Sequence, residues 1–406
     1  MSEALLAAKP TAWEGALEAI QSDRAALLVS SGDTRAAALE RYRITTANRE
    51  KPGRYWKIDL DRLESTDFSR QVAPAFAQFS GGTAPGLIRS DLASALQSDP
   101  AAFHGAFGRA LAHAPGKYAA LTQALHRGGA FVRVPADVCV DEPIVIAYTA
   151  EDGTASFPYT LIVAEPGASA TIIERHESSQ ANAFVAGITE IFAQESASLT
   201  HTAIQRLPED ATIFFTRAAA LERSARVSWA AADLGAHVSG STIVSAIAGV
   251  GADAHIAALF FPRSEQHVDF VTTTDHLAGE SQSRTVIKSA ATGSGQARYL
   301  GNIRIAATMH GCDASLKDDA LLLSPHAHID SVPALEIAAN DVKAFHGATV
   351  GALSDDMLFY MMTRGLDRTT AERMITLGFF EPALEHFPTN ALREELRREL
   401  AQKIAS

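Results

Sequence analysis

The 406-residue sequence predicts a mainly β chain with helices at both ends, its long middle built as a β-helix-like solenoid of stacked coils. Three observations carry that reading. Helix-type patterning is confined to residues 1–128 and 351–406, and short segments rich in β-branched residues fill 129–350. Within those segments a phrase of small residues followed by a strand onset recurs around Ala168, Ala197, Ala225 and Ala252, in steps of 29, 28 and 27 residues. A near-constant step of that size marks a repeat in which each coil buries its inner face only by stacking on its neighbours. Hairpins of even length in a meandering antiparallel sandwich would give a similar rhythm, and Gly, Ser and Ala at the step points suit tight corners in either arrangement.

Taken in order, the first unit (1–128) has Ala/Leu-rich segments at Ala16–Ile20 and Pro100–Ala112, broken by turn signals at Gly53, Gly81-Gly82 and Pro115-Gly116. The core (129–350) opens on Phe131–Val134, Ile144–Ile146 and Leu161–Val163. In the last unit (351–406), Ser354 with Asp355 and Asp356 reads as an N-cap and acidic first turn, and Gly365 as the stop. Between them Leu358, Phe359, Met361 and Met362 supply an apolar face. Thr369 with Glu372 reads as a capping box for a second helix that Gly378 ends. A third, from about Ala391, sets Leu392, Leu396, Leu400 and Ile404 at four-residue spacing. Such a stripe docks on the rest of its own chain or on a partner, more commonly the former.

Composition removes several function classes. A formal net charge of −12, with no basic stripe, repels phosphate backbones and argues against nucleic-acid binding. No apolar run approaches the ~18 residues of a membrane span, and the N-terminal stretch MSEALLAAKPTAWEG has no basic region leading into an apolar one, so the expectation is a cytoplasmic protein. Two cysteines, Cys139 and Cys312, cannot supply a tetrathiolate site, so any cluster needs ligands from elsewhere. No phosphate-binding loop, dinucleotide fingerprint, nucleophile elbow or H-E-x-x-H motif is present, and the chain reads as a non-enzyme.

His346 lies between a β-like run and a helix cap, beside Gly347, which permits close approach of a ligand or another backbone. A neutral imidazole there could ligate iron, although a lone histidine is more often structural. His326 and His328, and likewise His310 and Cys312, stand two apart and would share a strand face. Neither pair has a third ligand, and a solvated face or a satisfied loop is the commoner outcome.

The run from Pro333 to Gly351, PALEIAANDVKAFHGATVG, followed by Leu358-Phe359-Tyr360 and Thr363-Arg364-Gly365, resembles the C-terminal signature of the SufB/SufD family. Gly128–Val132 before Val134-Pro135, and Glu165–Ala168, are similar to it as well, so the resemblance spans roughly residues 115–380. The H-G-A-T-V-G wording and the low cysteine count resemble its SufD-type branch. The resemblance implies a right-handed β-helix core between helical ends, serving as a scaffold for iron–sulfur cluster assembly. It implies pairing with SufB through the core and binding of the ATPase SufC through the C-terminal helices, with Leu358, Phe359, Arg364 and Gly365 on that side. A transient cluster would form near the SufB–SufD junction with His346 as candidate ligand, and no cofactor would be tightly bound in the isolated chain. The family's Cys-Ser before the histidine is Ala344-Phe345 here, and alanine cannot ligate iron. Two other readings share the fold: a homodimeric scaffold acting without SufB, and a β-helix carbohydrate-active enzyme.

Overall fold

Parallel pairing between strands one coil apart organises the chain in the computed structural model, which describes residues 13–21, 29–30, 32–45, 55, 58, 60, 71–178 and 182–405. The first 12 residues and the turn signal at Gly53 lie outside the described residues. One sheet runs, from its N-terminal end, β2 (Gln78–Gly81), β5 (Ile144–Thr149), β8 (Ser169–Glu177), β10 (Ser198–Arg206), β12 (Arg226–Asp233), β14 (Asp253–Phe260), β16 (Gln282–Ala291), β18 (Cys312–Leu322) and β20 (Val342–Ala352). The facing sheet runs β3 (Ile88–Ser90), β4 (Gly129–Val134), β7 (Tyr159–Ala164), β9 (Phe184–Ala193), β11 (Thr212–Leu221), β13 (Val238–Ile247), β15 (His267–His276), β17 (Gln296–Ile305) and β19 (His328–Ile337). Beside β9, β1 (Gln71–Ala73) and β6 (Thr154–Ser156) form a short side branch. The chain alternates between the two sheets, so the middle is a β-solenoid of about eight turns, not a sandwich of hairpins.

The repeat step is one coil. Ser169, Ser198, Arg226 and Asp253 share a ladder, and the alanine before each, Ala168, Ala197, Ala225 and Ala252, is fully buried at the corner. The same column continues through Ser281, Cys312 and Val342 as the ladder passes to Gln282, Asp313 and Lys343. One position earlier, each corner but the last, before Val342, turns through a left-handed residue: Asp137, Gly167, Ser196, Ser224, Gly251, Glu280 and Gly311 have φ between 53° and 72°. Glycine adopts that conformation freely; the others are held there by the stack.

Because side chains alternate along each strand, one face of each sheet points inward and one outward. The inward faces form a single core, from Val132 and Ile144 to Tyr299 and Leu316. The outer face of the β9 sheet carries the N-terminal helices α1 (Trp13–Gln21), α2 (Gly32–Ile44), α3 (Leu92–Ser98), α4 (Pro100–Ala106) and α5 (Lys117–Leu125). Trp13 packs on Phe157 and Phe184, and the Tyr118 ring stacks on Phe214. Buried Glu190 joins the layers: its carboxylate accepts the backbone N–H groups of Gly108 (2.8 Å) and Leu111 (2.7 Å) and the Tyr159 hydroxyl. The N-terminal stretch read as helical also contributes β1 to β3, of which β2 and β3 run antiparallel to the first coil.

The outer face of the β10 sheet carries α7 (Arg368–Leu384) and α8 (Asn390–Ala405), with α6 (Asp355–Thr363) packed on α7. Leu392, Leu396 and Leu400 are buried against Ile204, Leu259 and Phe261, so the stripe docks on its own chain. Arg175 and Arg206 pair with Glu395 and Glu399 along its flank. Ser354 caps α6 as expected. The cap of α7 is Asp367, not Thr369: its carboxylate accepts the N–H and hydroxyl of Thr370, while Glu372 pairs with Arg368. Gly378 does not end α7, because Phe380 beyond it is fully buried against Phe261 and holds the helix on to Leu384.

Candidate functional site

The last coil is where the interior of the solenoid opens. Strands β19 and β20 end the two sheets, and from Lys343 to Ala352 β20 contains no fully buried residue. In parallel register, paired residues point the same way, and His346 pairs with Leu316, a fully buried core residue. His346 is thus the end of an inward column that runs Ile172, His201, Trp229, Ile256, Thr285, Leu316. It is exposed because no further coil lies over it among the described residues, and its imidazole has no hydrogen-bond partner there. A Cβ on Gly347 would meet nothing, so that glycine leaves open space beside the histidine. Ala344 shares the inward row, over Ala314, and Phe345 faces outward and exposed. A lone-pair donor on an open coil end, with free space around it, can coordinate a metal that a second surface also holds.

Further down the interior lies a polar network that sequence reading missed. Glu174 is fully buried; its Oε1 meets His176 Nε2 at 2.7 Å, and its Oε2 meets His201 Nε2 at 3.1 Å and the Thr189 hydroxyl at 2.8 Å. Burial opposes its ionisation, but the hydrogen bonds and charge of the two histidines outweigh that and hold the carboxyl well below the usual range. Two coils on, Asp233 accepts Ser239 and Ser241, and Arg217 lies over the Phe215 ring. Nearer the mouth, His276 bonds Ser281 (2.8 Å) and Ser283 (2.9 Å), and burial pulls its pKa down to about 4. Asp318 bonds Ser331, and burial pushes its carboxyl up to about 7. These groups form separate clusters along the interior; the signal available was a polar residue at an inward position of an alternating strand.

The two i, i+2 pairs do not form shared faces. His326 sits in the turn before β19, while His328 bonds Asp330 at 3.0 Å. His310 lies in a loop; left-handed Gly311 then turns Cys312 into the corner column, where its sulfur is buried against Ser281. Cys139 and Cys312 are both free, and no group of three potential metal ligands occurs among the described residues. On the C-terminal side, Leu358 is buried, whereas Phe359 is 70% exposed and lies near exposed Met357, Tyr360 and Met362. The Arg364 guanidinium sits over the Tyr360 ring and donates to its hydroxyl at 3.1 Å, and Gly365 ends α6 with φ at 92°. Four large apolar side chains exposed on one short helix are uncommon on a solitary protein. No helix among the described residues is long and apolar enough to cross a membrane.

Residues 146–379 match the family model described as SUF system FeS cluster assembly, SufBD core domain. Relatives described as iron–sulfur cluster assembly SufBD family proteins include those of Staphylococcus epidermidis and Staphylococcus haemolyticus, each 26% identical over 306 residues, and of Staphylococcus aureus, 27% identical over 306 residues. Each match covers 75% of this chain and 66% of the relative, so the chain spans just under two thirds of their length.

Proposed function

This chain belongs to the SufBD core-domain family of iron–sulfur cluster assembly proteins, and from that premise we propose that it is a SufD-type scaffold subunit with no turnover of its own. It works in the cytoplasm and pairs with SufB through the open end of the solenoid. The observation that carries this reading is His346 itself: an imidazole without a hydrogen-bond partner among the described residues, on the inward row of an exposed terminal coil. Iron arrives there as cargo. The imidazole offers one nitrogen donor, and with alanine at 344 the thiolates come from SufB.

The exposed surface of α6 around Phe359, Arg364 and Gly365 supports SufC capture, so that ATP hydrolysis in SufC reshapes the junction. Buried Leu358 contributes by holding α6 in place. A self-dimer through the same end is the second reading, favoured by the terminal position of both β19 and β20. Mass measurement of the isolated chain, then with SufB added, separates the two.

The test is co-purification with SufB and SufC, wild type against His346→Ala, followed by anaerobic cluster reconstitution read by visible absorbance. The expected result is a three-protein complex with both chains and a lower cluster yield with the variant. No SufC binding would sink the scaffold assignment, and an unchanged yield would make His346 a bystander.

A further inference from the structure

Asp318 lies on β18, one coil behind the mouth, on the inward face it shares with Leu316. It is fully buried; its Oδ2 accepts the Ser331 hydroxyl from β19, and its Oδ1 has no hydrogen-bond partner among the described residues. Adjacent Asp319 points to the opposite face, where Lys288 pairs with it at 2.8 Å, so that lysine acts on Asp318 through its charge and donates no hydrogen bond to it. A buried carboxyl oxygen without a partner is costly, and a proton, a water or a cation at that oxygen relieves the cost.

The register sets that oxygen close to His346. Leu316 pairs with His346 and Asp318 with Ala348, so the two polar residues are one strand and two positions apart on the same face. Strand spacing and rise put their Cα atoms about 8 Å apart, near enough for an aspartate and a histidine to converge on one ion. Only the methyl groups of Ala344 and Ala348 flank His346 along its row.

We propose that Asp318 is the second donor this chain brings to the metal at His346, a carboxylate oxygen from the coil behind it in place of the thiolate missing at position 344. The proposal rests on the reading of His346 as a ligand. An imidazole and a carboxylate suit a divalent iron better than either alone, and the carboxylate also offsets one of its charges.

The test uses Co(II) as the probe, titrated anaerobically into the isolated full-length chain while NMR follows the His346 ring and the Asp318 carboxyl carbon. In the wild type both signals broaden at the same Co(II) concentration. Asp318→Asn keeps the shape and an acceptor for Ser331, and it raises the Co(II) needed to broaden the His346 ring at least tenfold. Adding Ala344→Cys to that variant restores binding, with thiolate-to-Co(II) absorption in the near ultraviolet. Equal Co(II) sensitivity in wild type and Asp318→Asn, or a Zn(II) titration that moves the His346 ring and leaves the Asp318 carboxyl carbon unshifted, overturns the proposal while His346 stands as a ligand. No broadening of His346 up to millimolar Co(II) overturns both. The wild-type carboxyl carbon followed with diamagnetic Zn(II), which shifts a coordinated carboxyl and leaves a merely neighbouring one in place, decides the matter even if Asp318→Asn proves unstable.

Discussion

Truncating Leu396 to alanine tests what holds the C-terminal helices on the solenoid. The side chain is fully buried at the centre of the α8 stripe, between Leu392 and Leu400 and over a sheet face that includes Ala230 and Ala232. Losing the buried carbons of a leucine costs about 2–5 kcal/mol, the upper part of the range applying where neighbours cannot collapse into the gap. Alanines on a hydrogen-bonded sheet cannot, so roughly 3–4 kcal/mol is expected here. The ion pairs beside the stripe cannot compensate: Glu395 and Glu399 are partly solvated, and such pairs contribute up to about 1 kcal/mol each. Stacked coils need not unfold in one step, so a global midpoint is a poor readout. Hydrogen exchange over residues 390–405 reports the helix itself, and a loss of about 3 kcal/mol accelerates it by roughly a hundredfold. A change below about threefold in Leu396→Ala would refute the account, as would an equal effect from Glu395→Gln.

Three further outcomes follow from other parts of the fold. Phe359→Ala removes an exposed ring, so stability changes by less than about 0.5 kcal/mol while retention of SufC on an affinity column falls; unchanged retention removes α6 from the contact. Glu190→Ala leaves the N–H groups of Gly108 and Leu111 and the Tyr159 hydroxyl without their shared acceptor, costing about 2–4 kcal/mol and loosening the N-terminal layer first, as limited proteolysis near residue 110 would show. His276 has a folded pKa of about 4, so between an unfolded value near ~6.5 and pH 4 the unfolded chain holds more protons. Stability therefore falls on acidification through that window, by roughly 2–3 kcal/mol from this group, and His276→Gln flattens the slope in denaturant titrations at pH 7, 5.5 and 4.5.

Much of the architecture was legible because a solenoid writes its geometry into spacing. The steps between Ala168, Ala197, Ala225 and Ala252 are the coil lengths, and the buried alanines are the corners themselves. The rhythm fades from sight past Ala252 because the corner residue becomes Ser281, Cys312 and Val342 while the coil lengthens to 31 residues. The stripe at Leu392, Leu396 and Leu400 was plain, whereas the reach of α7 past Gly378 was not, since it depends on Phe380 finding Phe261 more than a hundred positions away. His346 stood out through its motif. Its inward direction, and Asp318 behind it, could be seen only once Leu316 had been paired. Glu174 with His176 and His201 needed the same knowledge of register.

The two ends of the solenoid differ, and the difference limits how far it can grow. At the N-terminal end the first coil meets β2 and β3, strands of 4 and 3 residues that run antiparallel and offer little backbone to a newcomer. At the other end β19 and β20 present 10 and 11 residues. In the language of polymer chemistry this is a monofunctional unit. Joined through its one long end it forms a pair whose remaining ends are both blunt, so propagation stops after a single addition. Overproduction of the chain should therefore give a species whose mass saturates at two subunits as concentration rises, instead of the fibrils that a stack open at both ends would seed.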